Sequence, residues 1–161
     1  MFLIYYIHYM INSDLLKVQV QTLINLAKSE SNNNEQIVFE VDSEILKLMS
    51  EQLEKDLSEY LFQIDMYSIR HIFKEHSDSK KEEPRGQVVV TEEDIFLVLE
   101  VLREPDLLFY DGKSRLGKDI FVFQKLIQNK YVVIKEVREG KKKIALHSMR
   151  IFKTKENQNL I

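Results

Sequence analysis

Tyr131-Val132-Val133-Ile134-Lys135-Glu136-Val137-Arg138, then Glu139-Gly140, then Lys143-Ile144-Ala145-Leu146-His147-Ser148-Met149-Arg150-Ile151-Phe152 is the stretch on which the fold turns. β-Branched and aliphatic residues dominate both arms, and a glycine-containing turn separates them, so the pair reads as two strands of a hairpin. Upstream, Lys118 to Leu126 gives another strand that runs through Ile127-Gln128 into a turn near Asn129. Before it, Leu107-Leu108-Phe109-Tyr110 gives a strand ending at the turn signal Asp111-Gly112. Four successive strands on short connections predict an antiparallel meander. Alternation puts Val132, Ile134, Glu136 and Arg138 on one face of the third strand, and Ile144, Leu146 and Ser148 on one face of the fourth. Each of these core-facing rows turns polar toward its C-terminal end. On the same count His147 points away from Ser148 and stands outside any site built there.

Further upstream the period becomes helical. Leu15, Val18, Leu23, Leu26 and Ala27 predict a helix over Leu15 to Lys28, followed by a Ser- and Asn-rich loop from Ser29 to Gln36. Ile37 to Val41 reads as a short strand. Asp42 is placed to cap a helix from about Ser43 to Leu61, with Ile45, Leu48, Met49, Leu53, Leu57, Tyr60 and Leu61 as its buried stripe. Asp65 is placed to cap the next helix, where Ile69, Ile72 and Phe73 put His76 on or beside the core-facing stripe and leave His71 on the neighbouring face. At 100° per residue the two imidazoles stand about 140° apart around the axis, too far to chelate one metal ion. No zinc site is expected. A charged loop, Ser77 to Gly86, leads to Val88-Val89-Val90 and to Thr91 with Asp94, a capping-box pair opening a helix that carries Ile95, Val98, Leu99 and Leu102. The predicted class is α+β, with N-terminal helices covering one face of a four-stranded antiparallel meander.

The chain has 161 residues, enough for one core and short for two. The expected organisation is an N-terminal segment over residues 1–36, a main domain over 37–155 and a flexible tail over 156–161. With no cysteine in the sequence, disulfides, thiolate zinc sites and cysteine nucleophiles drop out, which fits a reducing cytoplasm. The apolar opening Met1 to Ile11 has no basic leader or small-residue cleavage site, so no signal peptide is expected. It falls short of the roughly 20 apolar residues of a membrane-spanning helix. A buried first element or a surface for a partner or second copy is the better reading. The net charge of −3 hides a separation: residues 1–111 carry 10 Lys/Arg against 22 Asp/Glu, and residues 112–155 carry 13 against 3. A basic C-terminal third suits a phosphate-binding surface, and equally suits mutual attraction between the two parts of the chain.

Several segments occur together in a telling order. They are Ile64 to His71 with His76, Arg85 to Asp94, Tyr110 to Lys113 with Gly117, Glu136-Val137-Arg138 and Ile144 to Met149. This set resembles the phage-associated branch of the barnase, EndoU, colicin and RelE-like (BECR) nuclease superfamily, over roughly Ile37 to Lys155. The resemblance implies a metal-independent ribonuclease fold that needs no cofactor. It further implies functional roles for His71 and His76, for Arg138, Glu136 and Ser148, and for Lys113 and Thr91; the two histidines are read as acid and base in undecided order, and Lys113, Arg85, Thr91 and Lys118 as the candidates for holding the nucleic acid. Cleavage of RNA without metal needs a base for the 2'-hydroxyl, an acid for the leaving 5'-oxygen and a cation for the phosphorane, and imidazole suits the first two roles. Where such domains usually show Lys-Thr-Met-Tyr in the last strand, this chain has His147-Ser148-Met149-Arg150.

Two functions from different classes therefore stand side by side. The first is a phage or toxin-type endoribonuclease acting on RNA in the cytoplasm, with a cognate immunity, antitoxin or host protein as partner and no membrane role. The second is a catalytically degenerate protein-binding module, such as a phage inhibitor of a host defence nuclease or an assembly factor. A homodimer through the N-terminal segment is compatible with both. A plain nucleic-acid binder ranks below them, because no aromatic residues interleave with the lysines as stacking platforms.

Overall fold

The computed structural model describes residues 2–29 and 35–154, with side chains from Asp14 onward. The partner surface expected of Met1 to Ile11, residues 30–34 of the Ser/Asn loop and the tail over 156–161 lie outside the described residues and side chains. Among the described residues, no helix is long and apolar enough to cross a membrane.

Helix α1 (Phe2–Lys28) begins well before Leu15. It buries Val20, Leu23, Ile24 and Ala27 and leaves Leu15 and Val18 exposed, so its apolar face is rotated from the expected one. Strand β1 (Gln36–Phe39) is followed by α2 (Ser43–Leu53), capped by Asp42, whose Oδ1 accepts from the Glu44 N–H at 2.8 Å. Helix α2 was expected to reach Leu61 but stops eight residues earlier. Glu54 takes a left-handed conformation at φ 53° and returns its N–H to the Ser50 carbonyl, and the Leu57 N–H donates to Ser50 Oγ at 3.0 Å. The helical spacing of Leu53, Leu57 and Tyr60 thus spans a break. After it, Leu61–Asp65 form an additional strand, β2.

Helix α3 (Met66–His76) starts where Asp65 Oδ1 accepts from the Ser68 N–H at 2.8 Å. A single-turn helix α4 (Ser79–Glu82), a 3-10 turn at Glu83–Arg85 and the two-residue strand β3 (Gln87–Val88) connect it to α5 (Glu92–Arg103). Then come β4 (Leu107–Lys113), β5 (Asp119–Ile127), β6 (Asn129–Arg138) and β7 (Lys143–Phe152). The expected meander is present as β4 to β7, with two corrections.

First, the sheet is larger and mixed. Its order is β1-β2-β7-β6-β5-β4 with β3 also on β7, and β2 runs parallel to β7 through Leu61↔Lys143, Phe62↔Ile144 and Gln63↔Ala145. A four-stranded meander would leave one edge of its last strand unpaired, a row of open backbone groups. Here β2 covers the start of that edge and β3 covers its end at Ile151 and Phe152. Helix α3 packs on β7. At the opposite edge, Gln52 of α2 covers β4 by accepting from the Tyr110 N–H at 2.8 Å and donating to the Leu108 carbonyl at 3.2 Å. Second, Asp111-Gly112 is not the hairpin turn. The pair forms an irregularity inside β4, with Gly112 at φ 82°, and the chain reverses at Ser114–Lys118, where the Ser114 N–H donates to the Lys118 carbonyl at 2.8 Å.

The core lies between one face of the sheet and the helices. Phe121, Phe123, Val133, Val137, Ile144, Leu146, Met149 and Ile151 meet Ile24, Ile69, Ile72, Val98 and Leu102 there. Helix α5 is tied to β6 by the Tyr131 hydroxyl, which donates to Asp94 Oδ1 at 2.7 Å. One member of the core row is a lysine. Lys135 is fully buried, donates from Nζ to the Gln63 carbonyl at 3.2 Å and sits 4.5 Å from the centre of the Phe62 ring. Burial pushes its pKa well below the ordinary lysine value, outweighing the opposite pull of Asp65.

A lysine with a lowered folded-state pKa binds fewer protons folded than unfolded, so stability rises with pH up to the ordinary lysine pKa near 10.5. Urea-midpoint measurements from pH 7 to 9.5 are expected to show that rise in the wild type and a flatter profile in Lys135→Met. A Phe123→Ala variant is expected to lose about 3–5 kcal/mol at any pH in this range, by the same measurement.

Candidate active site: a groove bordered by α3 and the sheet

Ile134 pairs with Ser148, yet the next residue of β6, Lys135, pairs with Leu146, so β7 carries one extra residue, His147. A bulge of this kind shifts the side-chain alternation of one strand by a residue. Facing residues of an antiparallel pair point the same way, so Leu146 joins Lys135 on the core side while Ser148 joins Ile134 on the other. His147 leaves the core as well and stands about half exposed, with Nδ1 3.7 Å from Glu136 Oε2. The simple alternation placed His147 opposite Ser148, and the bulge overturns that. In β6, which is regular, burial shows the expected faces exchanged: Tyr131, Val133, Lys135 and Val137 form the core row, and Val132, Ile134, Glu136 and Arg138 form the groove row.

Two open recesses lie on this side. One, of about 310 Å³, is bordered by Asp65, Tyr67, His71, Arg138, Lys141 and His147. The other, of about 450 Å³, is bordered by His71, His76, Arg85, Lys113, Ser148 and His147. His71 and His147 belong to both recesses, which makes the two a continuous groove with a histidine pair at the joint. The ring centres are 6.1 Å apart. On the β6 side, Arg138 Nε donates to Glu136 Oε1 at 2.9 Å and Arg138 Nη1 lies 3.6 Å from Asp65 Oδ2. Partial burial, aided by the neighbouring His147, lowers the pKa of His71 and so favours its neutral ring.

His76 sits behind this surface and is 5% exposed. Its Nδ1 faces Glu82 Oε2 at 3.1 Å and its Nε2 faces Ser148 Oγ at 3.4 Å. Glu82 is fully buried, and its other oxygen lies 3.4 Å from Arg85 Nη1. The result is a carboxylate–imidazole–hydroxyl chain whose outer end, Ser148, borders the groove. Glu82 was missed in the sequence because it lies in a charged, lysine-rich loop that reads as solvated. The signal was Asp78, which caps α4 by accepting from the Lys80 N–H at 3.0 Å and so turns that loop into a helix with an inward face.

The other expected contacts separate. Lys113 borders the groove while its Nζ donates to Asp119 Oδ1 at 2.9 Å, which raises the pKa of the lysine. Asp119 also accepts from the Tyr110 hydroxyl at 2.7 Å, and these bonds outweigh the upward push of burial on its carboxyl. Thr91 caps α5, with its N–H and hydroxyl both donating to Asp94 Oδ2, and borders neither recess. Lys118 is exposed in the β4–β5 turn and borders neither recess. Among the described residues, no three His, Asp or Glu side chains are grouped to hold a metal ion.

The chain belongs to the family described as phage-Barnase-EndoU-ColicinE5/D-RelE like nuclease3, which matches residues 38–159. No curated protein and no solved structure matches the chain significantly.

Removing Glu82 strands a buried imidazole nitrogen, whereas the half-exposed Arg85 stays solvated. Glu82→Ala is expected to lower the unfolding free energy by about 3 kcal/mol, and Glu82→Gln, which still offers Nδ1 an acceptor, by about half as much, both read from urea denaturation.

Proposed function

We propose that the protein is a metal-independent endoribonuclease that cleaves RNA by attack of the 2'-hydroxyl on the adjacent phosphate. The observation that carries this reading is the His71–His147 pair at the joint of the two recesses. Two imidazoles at this spacing can each reach one of the two oxygens that exchange places on a single phosphorus. His71, whose lowered pKa favours the neutral ring, takes the proton of the 2'-hydroxyl. His147 gives a proton to the departing 5'-oxygen, with the Glu136 carboxylate 3.7 Å from Nδ1 drawing positive charge to the ring. The bond from phosphorus to the 2'-oxygen forms, the bond to the 5'-oxygen breaks, and a 2',3'-cyclic phosphate and a free 5'-hydroxyl result.

Arg138 supplies the positive charge for the phosphorane oxygens. The Ser148 hydroxyl, held from behind by His76 and Glu82, borders the same centre and helps to position the phosphate. Arg85 and Lys113, on the rim of the larger recess, draw the RNA backbone toward it. His76 therefore contributes through Ser148 in this scheme rather than by touching the substrate, since both of its ring nitrogens are engaged.

Purified protein is expected to cleave single-stranded RNA in excess EDTA, leaving cyclic phosphate ends, and to spare the matching DNA. His71→Ala and His147→Ala should each lower kcat/KM by roughly 10²–10⁴-fold. The acidic limb of the pH profile should fall below 6.5, because the base has a lowered pKa and must be deprotonated to act. Absence of RNA cleavage at high enzyme excess sinks this reading.

A further inference from the structure

We propose that the recess of about 310 Å³ beside the histidine pair is a nucleobase subsite, holding the base of a nucleotide next to the scissile phosphate. The proposal rests on the ribonuclease reading and adds which part of the substrate is recognised, and by what. Tyr67 and His71 lie four residues apart on α3 and so face the same side, and both border this recess. Tyr67 is 51% exposed, an aromatic face left open to solvent at the mouth of a polar hollow. Nothing in the core requires that ring. A base stacked on it gains the sequence-tolerant attraction that aromatic platforms give to nucleic acids.

The remaining wall supplies an edge reader. Gln36 of β1 stands opposite Asp65 of β2 in the antiparallel ladder, and Gln63 stands two residues along, so both amides border the recess. The Gln63 Nε2 donates to Asp65 Oδ2 at 3.4 Å, which leaves its carbonyl oxygen as an acceptor. Gln36 adds an exposed amide with both a donor and an acceptor. Neutral amides of this kind distinguish bases by the donor and acceptor pattern of their edges. Arg138 and Lys141 border the same hollow and can hold the phosphate that follows the base. An aromatic face, two neutral amides and a cationic rim, placed directly against the proposed proton-transfer pair, match a nucleotide in each of its three parts.

Backbone-amide NMR titration with the 5'-monophosphates of adenosine, guanosine, cytidine and uridine, beside ribose 5-phosphate, tests the subsite without any cleavage. At least one nucleotide is expected to shift Gln63 and Tyr67 and to bind more tightly than the others, and ribose 5-phosphate should leave both residues unmoved. Tyr67→Ala is expected to weaken that nucleotide about tenfold. Gln36→Ala, on an exposed strand edge, should reduce the preference among bases while the fold is kept. Cleavage of a randomised RNA should show a nucleotide bias beside the cut that Tyr67→Ala flattens. Equal shifts from ribose 5-phosphate, no shifts at all, or RNA cleavage without base bias would each overturn the subsite, and the last would leave the ribonuclease reading intact. Base-selective binding in a protein that cuts no RNA would keep the subsite and sink the ribonuclease reading.

Discussion

A single extra residue in β7 decides which side chains meet in this protein. Without it, strand alternation would turn His147 inward among Val133, Met149 and Phe123, and would turn Leu146 outward. An imidazole would then take the place of a leucine in the core, and the groove would lose half of its histidine pair. With it, β7 serves the core on its first half through Ile144 and Leu146, and again on its second half through Met149 and Ile151. The groove collects the residues in between. Bulges re-aim side chains at the cost of a locally disrupted ladder, and here the neighbouring pairings of β7 to β2, β3 and β6 are close enough to absorb that cost.

Charge is handled by the same logic of compensated burial. Asp65 caps α3 with one oxygen and meets Gln63 and Arg138 with the other, so the start of the helix, the floor of the groove and the cationic end of β6 share one carboxylate. Glu82 plays the matching part at the end of α3, where it faces His76 and Arg85. Helix α3 is therefore pinned at both ends by an acid that also touches a groove residue or its support. Buried acids of this kind are unfavourable alone and tolerable only when every oxygen has a partner.

The α+β class, the four meander strands, the caps at Asp42 and Asp65 and the helix over Glu92–Arg103 were legible because each rests on local signals: turn residues, period and capping chemistry. What escaped was set by distant pairing. Nothing local in Leu61 to Asp65 announces a strand, because Leu57, Tyr60 and Leu61 continue a helical spacing and the parallel partner lies some 80 residues further along. The bulge at His147 escaped for a related reason. Its apolar neighbours Leu146 and Met149 fit a regular strand equally well, and only the register of β6 shows the slip. Among the candidate residues, His71, Arg138, Glu136 and Ser148 do fall around the groove, along with Arg85 and Lys113, whereas Thr91 and Lys118 lie away from it. Glu82 and Lys135 were invisible because burial, not residue type, gives them their importance.

The position of β7 carries one more consequence. It is the strand that joins the two parts of the sheet, with β6 on one side and β2 and β3 on the other, yet it is the last strand of the fold to leave a ribosome. A nascent chain that has emerged only as far as Arg138 holds β2 and β3 without the strand that joins them to β6, and half of the histidine pair is still inside the ribosome. Folding must wait for contacts of high sequence separation, which form slowly. The groove is thereby among the last features of the fold to assemble, after the chain has emerged through Phe152.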